Sequence, residues 1–191
     1  SYNGSFRPFI TMNQNLLQEY QKEWNDRFAL ESIEIRDILG SSVKDIQHIG
    51  STSIPGLPSK PIIDMAITVP SWKDVQDLIE PLSRIGYPSD TPEINESNAG
   101  ERWLMRKGNP TQFHLSITYD DRGSFLERQI LFRDYLREHD EDRDEYGKLK
   151  KELIIKDPTG KDTYIEDKTD FVMKTLKKAG FQNKWFDLSK Y

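Results

Sequence analysis

The segment Pro61-Ile62-Ile63-Asp64-Met65-Ala66-Ile67-Thr68-Val69 constrains this chain more than any other. It is nearly all apolar and β-prone, the composition of a strand covered on both faces, yet one carboxylate stands inside it. An ionised carboxylate is costly there unless it meets a cation, a metal or several hydrogen-bond donors. Because strand side chains alternate, Ile62, Asp64, Ala66 and Thr68 share a face. A second acid meant to share a metal with Asp64 would occupy position 66, which is Ala. Asp64 therefore reads either as a functional group or as a structural acceptor that fixes the turn before it.

That turn lies in His48-Ile49-Gly50-Ser51-Thr52-Ser53-Ile54-Pro55-Gly56-Leu57-Pro58-Ser59-Lys60-Pro61. Its glycines and prolines make Gly50 to Pro61 a shaped loop rather than regular structure. Small hydroxyl residues and glycines let the backbone approach a ligand and aim N–H groups at an anion, and Lys60 supplies a compensating charge. Gly50, Ser51, Thr52, Ser53 and Lys60 are thus candidate phosphate contacts. The plainer reading is a tight connection built by Gly and Pro. A Walker loop is excluded, because the glycine-lysine-hydroxyl ending is absent.

The remaining pattern predicts an α+β domain with one small mixed sheet flanked by helices. From Asn13, a candidate N-cap, the residues Leu16, Leu17, Tyr20, Trp24 and Phe28 recur at helical spacing, and the stripe continues through Ile35, Ile38 and Leu39 to Gly40. Val43 to Ile49 predicts a short strand. Ser71 with Asp74 resembles a capping box, opening a helix through Val75, Leu78, Ile79 and Leu82. Residues 88–100 predict an exposed loop. Glu101–Lys107 and Thr111–Tyr119, joined by Gly108-Asn109-Pro110, predict an antiparallel hairpin with Phe113, Leu115 and Ile117 on one side and His114, Ser116 and Thr118 on the other. Helices follow near 124–138 and 141–155, and a last one runs from Asp162 or Thr163 to Gly180, burying Ile165, Val172 and Leu176. The whole reads as a single domain over 1–191, with a core sheet at about 43–119 and a helical C-terminal part at about 122–180.

Charge narrows the partners. The 191 residues hold 27 Lys and Arg against 32 Asp and Glu, a net charge of −5, so no global positive field exists to hold duplex nucleic acid by its phosphates. The absence of cysteine excludes disulfides, a thiol nucleophile and cysteine-ligated metal, and suits a reducing interior. No apolar run approaches the roughly 20 residues that cross a bilayer, and the first residues lack the pattern of a secretory signal. The expectation is a soluble cytoplasmic protein that takes a small molecule rather than nucleic acid or membrane. Its oligomeric state is left open.

Beside Asp64, His114 is the residue best placed for chemistry, as general base, phosphate contact or metal ligand, unless it is a satisfied structural histidine. His48 flanks the loop and invites the same two readings; His139 sits in an acidic helix or turn and reads as exposed. The helical part holds Phe132-Arg133-Asp134-Tyr135-Leu136-Arg137, then Tyr146 with Lys150 and Tyr164 with Lys168, and each Tyr–Lys pair is spaced to lie on one helix face. These build a basic, aromatic-lined wall for a nucleotide or acyl phosphate, or simply pack and solvate in the ordinary way.

Together these segments resemble the GrpB family, whose members look like distant relatives of the nucleotidyltransferase superfamily. The resemblance spans roughly residues 10–178 and rests on His48 to Leu57, Lys60 to Asp64, Phe113-His114-Leu115, Phe132 to Arg137, Tyr146 with Lys150, and Tyr164 with Lys168. It implies a Gly-Ser step after the first strand, matched by Gly50-Ser51, and a next strand whose alternating carboxylates hold magnesium or manganese. Asp64 matches the first carboxylate, Ala66 stands where the second belongs, and His114, Ser116 and Thr118 stand where a neighbouring strand would bring the third. The resemblance thus implies a nucleotide or other phosphorylated small molecule bound by Gly50, Ser51, Thr52, Ser53, Lys60, Arg133, Lys150 and Lys168. Asp64 and His114 would be the catalytic groups and Asp64 the metal ligand in transfer of a nucleotidyl group to a small acceptor. The rival expectation is a non-catalytic nucleotide sensor that has lost the metal carboxylates; a third is an interaction domain with an apolar groove. The family also resembles a domain fused to some dephospho-coenzyme A kinases, which points to nucleotide or coenzyme A metabolism.

Overall fold

Alternation along two central strands decides the architecture. The computed structural model describes residues 17–88, 93–94, 101–121, 123–158, 163–183, 187–189 and 191. Its strands are β1 (Asp45–Ile49), β2 (Ile63–Val69), β3 (Glu93–Ile94), β4 (Arg102–Lys107) and β5 (Phe113–Tyr119). Its helices are α1 (Glu23–Leu39), α2 (Gln76–Arg84), α3 (Phe125–Glu138), α4 (Asp140–Lys156) and α5 (Thr163–Lys178). The strands form one mixed sheet in the order β1-β2-β5-β4-β3. At its centre β2 and β5 run parallel, while β1, β4 and β3 join antiparallel. A parallel pair needs a crossover, and α2 with the β3–β4 segment supplies it.

On one face Ile63, Met65, Ile67 and Val69 stand beside Phe113, Leu115, Ile117 and Tyr119. Trp24, Ile35 and Leu39 of α1 and Leu78 and Leu82 of α2 close a buried core over them. The opposite face carries Asp64, Ala66 and Thr68 beside His114, Ser116 and Thr118, as the hairpin alternation predicts. A second core joins Phe132 and Leu136 of α3, Tyr146 of α4 and Leu176 of α5. Ile54 and Leu57 plug into it from the loop before β2, and both are 0% exposed. Each such burial is worth roughly 1.5–3 kcal/mol, so the loop is anchored as firmly as a core segment. One buried and one half-buried ion pair bind the layers further. Arg128 of α3 meets Glu101 at 2.8 Å, where the Ser124 N–H and hydroxyl also donate. Lys107 of β4 meets Glu31 of α1 at 2.9 Å, and the Tyr87 hydroxyl donates to the same carboxylate.

Two expectations are corrected. The stripe starting at Asn13 predicts a helix from there, but α1 begins at Glu23, and residues 13–16 lie outside the described residues. Gln18 exchanges backbone hydrogen bonds with Ser59 at 2.8 and 2.9 Å, so its peptide groups are satisfied by the loop instead of by a helical turn. The stretch 88–100, read as a loop, supplies the two-residue edge strand β3 against β4, and most of it lies outside the described residues. The capping box is present: Ser71 Oγ accepts from the Lys73 N–H and Asp74 accepts from the Ser71 N–H, opening a 3-10 turn before α2. The side chains of Tyr164 and Ile165 also lie outside the described residues. Among the described residues no helix is long and apolar enough to cross a membrane.

Candidate functional site

Ile49, the last residue of β1, pairs with Asp64, so the chain turns back directly over that carboxylate. Gly50 makes the turn with φ 71°, and a Cβ there would lie 2.4 Å from Asp64 Oδ2. Only glycine lets the backbone pass so close in that conformation. Residues Ser51–Ser53 then form a single 3-10 turn. This turn buries two expected phosphate contacts. Thr52 Oγ1 bonds His48 Nε2 at 2.9 Å, and the Ser53 hydroxyl donates to the Gly50 carbonyl at 2.5 Å. Thr52 and Ser53 hold the turn; Ser51 is the hydroxyl that faces outward.

Ser51, Ser59, Lys60, Asp64, His114, Lys150 and Lys168 line a cleft of about 280 Å³, with Leu17 and Ile62 at its sides. Asp64 and His114 face each other across the parallel β2–β5 ladder, with His114 Nδ1 3.1 Å from Asp64 Oδ1. Their side chains keep 37% and 29% exposure, which leaves both open to a ligand. With Nδ1–H donating to the carboxylate, Nε2 carries the lone pair, the arrangement of a general base oriented by an acid.

Lys150 reaches from α4 to the loop, with Nζ 2.8 Å from Ser51 Oγ and 2.7 Å from the Pro58 carbonyl. The amine also lies 5.3 Å from the centre of the Tyr146 ring one turn earlier. Gly147 permits this approach, since a Cβ there would meet Pro58 Cδ at 2.9 Å. Burial, then the neighbouring Lys168 ammonium, pushes the Lys150 pKa down to about 7, against the pull of Asp64. Burial lowers Lys168 as well, Asp64 again opposing and Lys60 reinforcing the fall. Charge crowding of this kind is what an anion relieves.

Other expected residues do different work. Arg133 is turned away from the cleft: its Nη1 donates to Gln47 Oε1 and to the His48 carbonyl at 2.9 Å each, and its Nε to Asp134 at 2.8 Å. β1 is an edge strand with an outward carbonyl to satisfy, and Arg133 satisfies it. Arg137 similarly holds the Ser53 carbonyl, at 2.7 and 3.0 Å. His48 is buried and stacked on Phe28 at 4.7 Å, and burial above all pushes its pKa down to about 4. His139 is exposed between α3 and α4, bonded to the Tyr135 carbonyl. Leu17 and Ser59, which sequence reasoning did not place in the site, arrive there through the Gln18–Ser59 bridge, a non-local pairing with no local signal.

The residues do not suit a divalent metal. Magnesium and manganese in nucleotidyl transfer are held by several oxygens, with carboxylates shared between ions. Here Asp64 has Ala66 beyond it on its strand, Ser116 and Thr118 on the neighbouring strand, and His114 on one of its own oxygens. Among the described residues there is no group of three or more His, Asp or Glu that could hold a metal ion. Three amines crowd the same cleft and repel a dication. The donor set suits an anion.

Fold and site together define a class: an α+β protein whose mixed sheet presents an Asp–His pair to a basic cleft. Comparison with known proteins narrows it. The GrpB protein family profile matches residues 15–178, and the chain belongs to the GrpB family. The chain is 37% identical over 153 residues to UPF0157 protein YqkA of Bacillus subtilis, covering 80% of this chain and 43% of that protein. The crystal structure of conserved protein GrpB from Enterococcus faecalis superposes with a TM-score of 0.75 at 33% identity, over 87% of this chain and 100% of that one. A weaker likeness joins it to a dephospho-CoA kinase of Mycolicibacterium paratuberculosis, 27% identical over 181 residues, 82% of this chain and 44% of that protein. The chain thus spans less than half the length of YqkA and of the kinase.

Proposed function

We propose that the cleft binds a phosphorylated small molecule of nucleotide type, its phosphate seated on Ser51, Lys60, Lys150 and Lys168. The observation that carries this reading is the convergence of three lysines, from the loop, α4 and α5, on one small cleft that holds a single carboxylate. With its amines protonated that set complements the charge of a phosphate monoester, about −1.5 to −2 at neutral pH. A cleft of about 280 Å³ takes a phosphate and its neighbouring sugar rather than a whole nucleotide. The likeness to part of a dephospho-CoA kinase supports a nucleotide-type ligand, and the lack of cysteine suits a cytoplasmic setting. Thermal-shift measurements with nucleoside mono-, di- and triphosphates, with and without magnesium, test the reading. A shift indifferent to magnesium and lost in Lys150→Met is expected. If no nucleotide moves the melting temperature of the folded protein, the reading fails.

The Asp64–His114 pair supports a second reading, in which the bound nucleotide reacts. His114 Nε2 takes the proton of an acceptor hydroxyl, the acceptor oxygen bonds to the α-phosphorus, and the bond to pyrophosphate breaks. The lysines offset the charge on the departing group. Ala66, Ser116 and Thr118, in place of metal carboxylates, favour a binding module instead. Asp64→Asn separates the two: a transferase loses turnover while keeping its nucleotide shift, and a module has no turnover to lose.

A further inference from the structure

Beyond the lysine side of the cleft, the same sheet face carries a further cation. Arg102 pairs with Thr118 in the β4–β5 ladder, which puts its side chain on the face of Asp64, His114 and Ser116. The guanidinium lies over the Phe125 ring, 4.3 Å from its centre, and Nη1 donates to Ser116 Oγ at 2.8 Å. Its Nε is buried and, among the described residues, has no hydrogen-bond partner. Among the described residues no acid lies within ion-pair distance of it, whereas Arg128 on nearby α3 is paired with Glu101 and Lys107 with Glu31 and Glu34. A guanidinium drawn from water with an unmatched N–H is costly, and an anion beside it would offset that cost. Burial lowers the Arg102 pKa, and the nearby Asp64 charge opposes that fall, which ties the two groups electrostatically.

We propose that Arg102, held by Ser116, is a second anion subsite, so that the ligand carries two anionic groups at opposite ends of a sugar-sized unit. The inference rests on the phosphate reading of the lysine cleft. Its geometry is a line along the sheet. Lys60 and Ile62 precede β2, Asp64 and His114 follow, and Ser116 stands two residues further along β5. The last step alone is roughly 7 Å. Neighbouring phosphates of a polyphosphate are closer than this, whereas a phosphate on the lysines and a phosphate or carboxylate on Arg102 span the distance. The Asp64–His114 pair then faces the middle of the ligand.

Titration calorimetry on the full chain with matched probes tests this: adenosine 5′-monophosphate against adenosine 3′,5′-bisphosphate, and glucose 6-phosphate against 6-phosphogluconate. The doubly anionic member of at least one pair should bind about tenfold tighter or more. A gain confined to the first pair assigns a phosphate to Arg102; one confined to the second assigns a carboxylate. Arg102→Gln should remove most of the gain while leaving the singly anionic affinity within about twofold, and Arg102→Lys, which keeps charge but loses the fork, should fall between. The wild-type comparison stands even where a variant fails to fold. Equal affinities within both pairs overturn the subsite and leave the lysine site standing. No binding by any of the four overturns both.

Discussion

Lys150 sets the pH behaviour of the cleft. Its amine titrates at about 7 in the fold against 10.5 for an ordinary lysine. Between those values the unfolded chain binds the extra proton, so stability rises with pH across that window; below it both states are protonated and the cost of burying the charge is present in full. Urea unfolding below, within and above the window should show this rise, flattened in Lys150→Met but not abolished, because Lys168 shifts the same way. On the proposed phosphate reading, affinity should run oppositely and weaken as the ammonium is lost, and calorimetry in buffers of different ionisation enthalpy should register proton uptake on binding. His48 acts at the acid end. Its pKa of about 4 against 6.5 makes the unfolded state the stronger proton binder between those values, so stability falls as pH drops through them. His48→Gln should flatten that loss. Gly50→Ala meets both a left-handed backbone and the Asp64 carboxylate, and should cost about 2 kcal/mol or more with loss of ligand binding. Gly40→Ala, at φ 54° and ψ −129° with nothing within 4 Å of the added methyl, should cost about 1–3 kcal/mol from the backbone alone and spare binding.

At the scale of elements, Glu101 joins the start of β4 to the first turn of α3. It accepts from the Ser124 N–H, the Ser124 hydroxyl and Arg128, all buried. Glu101→Ala strands the Arg128 charge and should cost about 3–5 kcal/mol in chemical denaturation, part of which Arg128→Met in the same chain should restore. Elements of this kind were legible in the sequence wherever burial repeats locally. Phe113, Leu115 and Ile117 against His114, Ser116 and Thr118 declare their faces by alternation alone, and Ser71 with Asp74 declares a helix start. The start of α1 was not legible, because Gln18 is claimed by Ser59, some forty residues on. In the site, Asp64 and His114 could be marked singly, but their pairing needs the parallel register, which no hairpin rule supplies. Arg133 and Lys150 are both helical cations in aromatic-bearing segments; only the packing of α3 against β1 and of α4 against the loop sends one to a backbone carbonyl and the other to the cleft.

For the whole molecule, the loop from Gly50 to Pro61 is the joint between two cores, one under α1 and α2 and one among α3, α4 and α5. Leu57 is fully buried in the second core, so Leu57→Ala should cost about 2–5 kcal/mol. It should also weaken nucleotide binding, since the same loop carries Ser51 and Lys60. Hydrogen exchange should then show faster opening in both the loop and α4, with β2 and β5 little changed. The cleft has one further consequence. Lys60, Lys150 and Lys168, on a loop and two helices, gather about the Asp64 carboxylate, and an anion that joins it should let those walls settle together. Small inorganic anions should therefore stiffen the helical side of the protein before any cognate ligand arrives, with sulfate, as a dianion, doing so at lower concentration than chloride. The empty protein is in this sense a gauge of the anions around it.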